Sequence, residues 1–318
     1  MHSDGHFTPI LKRLVDESYG ECRTCGASLV PGSPAFAGYD EKDRPLYVGE
    51  CCLKKVTKLA SHVYWSEKPD RRPQPSATIW RYIDFSKFVS LIATRSLYFA
   101  RADKLGDEFE GASGIEERRE EWETFYLRFF RRTTENLPGE VPAAFTEEAI
   151  EKQGRELIEQ LHKTAAEDRH RTFVSCWHQN SGESEALWRL YCPPGSAGLA
   201  IQTDVSHLRD CLRDVSDLSV GQVQYVDFKT RFAPINDRVF WKRKSLSHES
   251  EVRAVIRIGM PEGTNGLAIP VDPTRLVNKL VPSPFAPEWF SSTIQAVLER
   301  FEVPLRVAPS ELQARPFF

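Results

Sequence analysis

The chain has 318 residues, 41% of them hydrophobic and 27% charged, with a formal net charge of -3. That balance excludes a disordered or low-complexity chain, and it leaves no overall basic field to recruit nucleic acid or anionic membrane. No run approaches the roughly 18 uninterrupted apolar residues of a membrane span. Because Met1 to Pro9 is polar and lacks a secretory apolar core, a cytoplasmic protein without a membrane partner is expected.

Four of the seven cysteines, Cys22, Cys25, Cys51 and Cys52, crowd into a short N-terminal span, while Cys176, Cys192 and Cys211 are scattered. In a reducing compartment such a group points to metal before disulfide. Cys22-Arg-Thr-Cys25 is a tight turn that supplies two corners of a tetrahedral thiolate site. Alternation at Pro34–Tyr39 and Pro45–Val48, across the charged turn Asp40–Asp43, predicts a β-hairpin. A helix is expected over Leu53–Ala60. Cys51 and Cys52 are neighbours, so both can ligate only if the backbone turns sharply at Gly49; His62 is the reserve fourth ligand. Residues 20–65 therefore read as a small appendage stapled by structural zinc, since a unit of that size builds too little core to fold alone. Residues 66–77, polar with several prolines, read as a linker.

The main domain is expected over residues 78–318. Strand-like Thr78–Tyr82 leads into a short helix to Thr94, a second strand at Ser96–Ala100 and the acidic loop Asp103–Gly111. A helical insertion over residues 113–170 follows, expected to pack on the sheet, with Trp122, Phe125, Tyr126 and Phe129 at helical spacing. Strands are predicted at Thr172–Trp177, Gly198–Thr203, Val220–Phe228, Glu249–Arg257, Gly266–Pro270 and Pro304–Val307. Helices are predicted at Glu185–Tyr191, through Leu212, and at Pro287–Arg300. Without a regular βαβ rhythm, the class is α+β, with a mixed or antiparallel sheet.

Strand alternation places Glu249, Glu251 and Arg253 on one face and Ser250, Val252 and Ala254 on the other. Paired carboxylates roughly 7 Å apart repel unless a cation or ligand lies between them, and they suit a ribose hydroxyl or positive charge growing at a sugar carbon. Arg81, between Trp80 and Tyr82, is placed to clamp a phosphate-bearing ligand. Ser175 alternates with apolar neighbours, and Trp241-Lys-Arg-Lys244 offers a pyrophosphate contact. A metal-dependent phosphodiesterase would instead enlist Asp103, Asp107, Glu108 and Glu110 with the pair Glu249 and Glu251.

Five segments in order, Trp80–Tyr82, Ser96–Asp103, Gly106–Gly111, Ala186–Tyr191 with Gly198–Ile201, and Glu249–Arg253, resemble the bacterial domain-of-unknown-function family two-nine-seven-one, from about Thr78 to Val307. Arg81, Ser175 and Glu249/Glu251 also follow the order of the ADP-ribosyltransferase arrangement. That resemblance implies NAD as substrate, with Arg81 and Tyr82 at the cofactor and Ser175 supporting the nicotinamide ribose. It further implies Glu251 on the ribose 2′-hydroxyl and Glu249 orienting a protein or nucleic-acid acceptor, as in a bacterial toxin or phage-defence effector. The alternative is a non-catalytic module with structural zinc that binds a protein or nucleic acid.

Overall fold

A computed structural model describes residues 6–13, 21–22, 25–30, 34–39, 45–52, 64–66, 73–135, 146–193, 195–259 and 264–318. The chain divides into two compact units, residues 1–70 with 120–161 and residues 71–119 with 162–318. The helical stretch expected to belong wholly to the main domain is thus cut at Glu120 and Leu161.

Among the described residues the smaller unit contains four strands, β1 (His6–Arg13), β2 (Pro34–Tyr39), β3 (Pro45–Gly49) and β4 (Tyr64–Ser66), in the order β3-β2-β1-β4. The expected hairpin is the antiparallel β2–β3 pair, with Phe36 opposite Val48. The helix expected over Leu53–Ala60 and the reserve ligand His62 lie outside the described residues.

The larger unit is built on an eight-stranded sheet whose pairs are all antiparallel, which makes it α+β. Its strands are β5 (Thr78–Asp84), β6 (Ser96–Arg101), β7 (Thr172–Gln179), β8 (Gly198–Asp204), β9 (Leu218–Gln222), β12 (Glu251–Arg257), β13 (Gly266–Pro270) and β14 (Lys279–Pro282). A separate parallel pair joins β10 (Gln224–Val226) to β11 (Trp241–Arg243). The run expected as one strand at Val220–Phe228 therefore divides between two sheets. At Val307 there is a single bridge to Leu280 rather than a strand.

Helices α1 (Phe85–Thr94), α2 (Arg119–Glu135), α3 (Glu147–Arg171), α4 (Glu185–Tyr191), α5 (Val205–Cys211), α6 (Pro273–Leu276) and α7 (Phe290–Arg300) complete the order. Among the described residues five begin at side-chain caps, in which Asp84, Thr146, Ser184, Asp204 and Asp272 accept from the Lys87, Ala149, Leu187, His207 and Thr274 N–H groups. None of the described helices is long and apolar enough to cross a membrane.

Alternation along the central strands sorts their side chains onto two faces. Phe173, Trp177, Val252, Ala254 and Ile256 join Phe88, Leu208, Ile294 and Leu298 in the main core. The opposite face carries Val174 and Val255, packed with Val239, Phe240 and Trp241. Strand β7 decides where the site lies. β12 pairs along one edge of it, and the other edge is shared by β5, at His178 and Gln179, and β6, at Phe173 and Val174. Between those two ends, β5 and β6 splay apart.

Candidate functional site

In the smaller unit, the Cys22–Cys25 turn is closed by Cys25 and Gly26 N–H bonds to the Cys22 carbonyl, and Gly26 takes φ +73 as such a turn requires. Gly49 then lets the chain pass close to this turn. A Cβ there would stand 2.6 Å from Leu29 and 3.2 Å from the Cys51 sulfur, and the Gly49 N–H donates to the Cys22 sulfur at 3.4 Å. The 3-10 turn Glu50–Cys52 follows, and it resolves the difficulty of adjacent cysteines by bringing both sulfurs beside those of Cys22 and Cys25. All four sulfurs lie within 4.8 Å of one another, against the roughly 3.8 Å that zinc–thiolate bond lengths impose on a tetrahedron.

A cation also suits this donor set chemically. The thiol of Cys51 is pushed up to about 12, first by its bond with Cys25 and then by burial and Cys22, because each sulfur resists losing its proton beside the others. A bound cation removes that conflict by taking the thiolates. Cys22, Cys25, Cys51 and Cys52 would hold a soft metal such as zinc, with every corner filled and none left for water.

In the larger unit, five ionised side chains converge on the Val174/Val255 face of the sheet: Glu110, Lys242, Glu249, Glu251 and Arg253, all buried. The guanidinium of Arg253, 0% exposed, uses all five donors. Its Nε and one terminal nitrogen reach Glu251 at 2.9 and 3.1 Å, and the two terminal nitrogens grip Glu110 at 2.6 and 2.7 Å. The fifth bond goes to the Val239 carbonyl. Lys242 Nζ donates to Glu249 at 2.5 Å and to Glu251 at 3.2 Å. Burial by itself would push the Glu251 carboxyl up, but Arg253, Lys242 and their hydrogen bonds outweigh it and bring it down to about 2.

Glu249 stands apart from this closed arrangement. The strand begins at Glu251, whereas Glu249 ends the 3-10 segment Lys244–Glu249, and Ser250 between them is left-handed (φ 42, ψ 51). The expected three-residue polar strand face is therefore a strand pair plus a turn, and the turn swings Glu249 back onto Lys242. Among the described residues, both oxygens of Glu110 and Glu251 accept hydrogen bonds, while one Glu249 oxygen accepts from Lys242 and its partner accepts none. His178 Nδ1 bonds the Glu249 carbonyl at 2.8 Å, and its ring lies 5.2 Å from that of Tyr191, which is 41% exposed. Tyr225 accepts the Glu251 N–H at 2.8 Å through its hydroxyl. Burial lowers the His178 pKa, so at neutral pH the imidazole is uncharged. Burial first and the Glu249 charge second push the Tyr191 hydroxyl up.

Arg81 and Ser175 are also brought together, but elsewhere. Arg81 donates to the Ser175 hydroxyl at 2.9 Å and to the Tyr98 carbonyl at 3.2 Å, closing the gap where β5 and β6 splay. Its guanidinium lies 5.7 Å from the Trp177 ring centre, and Trp177 donates to Ser175. Ser175 is opposite Ala254 in the ladder, whereas Glu251 is opposite His178 and Arg253 opposite Cys176. Directly paired residues share a face and successive residues alternate. Ser175 and Glu251 consequently occupy opposite faces, and the expected gathering of Arg81, Ser175 and Glu251 around one sugar does not form.

Tyr82 lies on the Trp80 side, 6.0 Å from the His178 ring and 4.8 Å from that of Trp188, with its hydroxyl accepting the Ser184 N–H at 3.0 Å. The basic run at Trp241–Lys244 is no pyrophosphate clamp either. Lys242 is buried among the glutamates, and Arg243 bonds Asp107 at 2.6 Å. The acidic loop is likewise committed to cations, with Asp103 held by Arg101 and Glu110 by Arg253. Among the described residues these acids form no metal-binding group.

Sequence reasoning did not join Glu110 to Arg253, because pairing across 143 positions leaves no local signature. Family models, curated proteins and solved structures offer no match to this chain.

Proposed function

We propose that the larger unit cleaves the nicotinamide–ribose bond of NAD, by hydrolysis or by ADP-ribosyl transfer, on the face that carries Glu249. The observation that supports this reading is a charge imbalance beside an under-bonded carboxylate. Three carboxylates face two cations and one net negative charge remains; of their six oxygens, the one that accepts no bond among the described residues belongs to Glu249. NAD presents a cationic pyridinium, and its transition state spreads positive charge over the ribose C1′ and ring oxygen. A fixed anion is worth more there than in the ground state.

In this reading Tyr191 and His178 form an aromatic wall for the nicotinamide ring. Glu249 faces C1′ as the C1′–N bond breaks and its electron pair departs with neutral nicotinamide. Water or an acceptor hydroxyl then bonds to C1′, and its proton passes to the Glu249 carboxylate and on to solvent. Glu251 acts through Lys242 and the Ser250 turn as a positioning residue, and Arg81 with Ser175 holds the splayed strands on the far side. The resemblances to family two-nine-seven-one and to ADP-ribosyltransferases belong to the same proposal. Tryptophan and tyrosine fluorescence during NAD titration, with chromatographic assay of nicotinamide, tests it. Wild type should bind and release nicotinamide, while Tyr191→Ala should raise KM at least tenfold. Wild-type protein that neither binds NAD nor releases nicotinamide would overturn the reading.

A second reading, a non-catalytic protein- or nucleic-acid-binding module with structural zinc, is favoured by the saturation of Arg253. Such closure suits a buried structural network. It predicts one bound metal per chain, no effect of NAD, and partner binding that falls steeply with salt if the partner is a nucleic acid.

A further inference from the structure

At the other end of the β7–β12 pair, roughly 20 Å along the strand from Glu249, a small cavity of about 30 Å³ opens in the larger unit. It is lined by Arg169 from the last turn of α3, Arg238 from the segment before β11, and Arg257 at the end of β12. Thr172, Gly111 and one acid, Asp168, complete the polar wall. Three guanidinium-bearing residues and a single carboxylate thus line one hollow, a donor set that suits a small oxyanion.

Two further features mark the hollow as built for a guest. The Arg169 Nε is buried with no hydrogen-bond partner among the described residues, which is unfavourable for a polar group removed from water. Gly111, with φ +72, lets the Arg169 stem lie against the backbone, since a Cβ there would meet its Cγ at 3.2 Å. The volume is two to three times the roughly 10–15 Å³ that one water needs by this measure, enough for a tetrahedral oxyanion and too little for a nucleoside.

We propose that this cavity binds a phosphate group, either inorganic phosphate or the phosphoryl end of a monoester, with Arg169 as the principal donor beside Arg238 and Arg257. Planar forked donors suit such an anion better than ammonium groups. The site is separate from the Glu249 face and does not depend on NAD chemistry there.

Calorimetric titration of the full chain at constant ionic strength tests it, with inorganic phosphate, phenyl phosphate and chloride as separate ligands. Phosphate should bind saturably at one site per chain, chloride should not, and the monoester arm tells free phosphate from a phosphoryl group. Arg169→Gln should weaken phosphate at least tenfold and Arg169→Lys by less, while Glu249→Gln leaves phosphate binding unchanged. If a variant does not fold, phenylglyoxal labelling of wild type takes its place, with phosphate slowing modification of Arg169. Absence of saturable binding, equal binding of chloride, or undiminished binding by folded Arg169→Gln would overturn the proposal.

Discussion

Glu110 and Glu251 share one guanidinium, so the removal of Arg253 leaves two carboxylates buried side by side with Lys242 alone to balance them. Breaking a buried ion pair by deleting one partner costs about 3–5 kcal/mol, and urea unfolding of Arg253→Met should show a loss of that order. A variant within about 1 kcal/mol of wild type would mean that water reaches the network.

Acid acts on the same residues. The Glu251 carboxyl is brought down to about 2 by Arg253 and Lys242 against the opposing effect of burial, and burial lowers His178. For both groups the unfolded chain holds more protons at low pH than the folded one. His178 should cost stability as pH falls below about 6.5, and Glu251 should add a steeper loss from about 4.5 toward 2. Thermal unfolding of wild type across pH 3–8 should show both limbs. Glu251→Gln should flatten the lower limb and His178→Gln the upper.

At the scale of elements, the turn between β11 and β12 sets the geometry of the site. Ser250 is left-handed, a conformation that costs a non-glycine residue roughly 1 kcal/mol. Ser250→Gly should therefore be neutral or stabilising by up to about 1 kcal/mol. Ser250→Val, β-branched at that φ, should destabilise and displace Glu249, seen as an altered Tyr191 environment by NMR. If Ser250→Val matches wild type in both respects, the turn does not position Glu249.

This turn also marks where sequence reading stops. Alternation along Glu251–Arg257 is legible because a period of two is local, and it correctly sorts Glu251 and Arg253 from Val252 and Ala254. Glu249 looks like the next member of that series, but one left-handed residue ends the alternation. Arg81 and Ser175 were paired correctly as neighbours, and their face was not, because only the register of β7 against β12 places Ser175 opposite Ala254. Lys242 read as part of a pyrophosphate contact, since the sequence around it does not announce an ion pair with three glutamates.

Across the whole molecule, the two compact units rest on different chemistry. The larger one has an extensive apolar core of its own, while the smaller draws four sulfurs together in its N-terminal segment. Its cysteine pattern was legible from spacing alone, because thiolate geometry needs few residues; the division of the helical stretch at Glu120 and Leu161 was not, because it depends on contacts between distant segments. Native mass spectrometry should find one zinc per chain. Chelation, or Cys22→Ser, should raise proteolysis within residues 1–70 while the larger unit's unfolding transition stays in place. Metal-free protein with unchanged protease resistance would show that the cysteines are not a staple.

The most direct measurement is nicotinamide release from NAD by Glu249→Gln, made beside its unfolding temperature. The account predicts a fall on the order of 10²–10³-fold with the unfolding temperature close to that of wild type, because Glu249 faces the ligand while Glu251 and Arg253 hold the fold. Release at the wild-type rate from folded Glu249→Gln would contradict it.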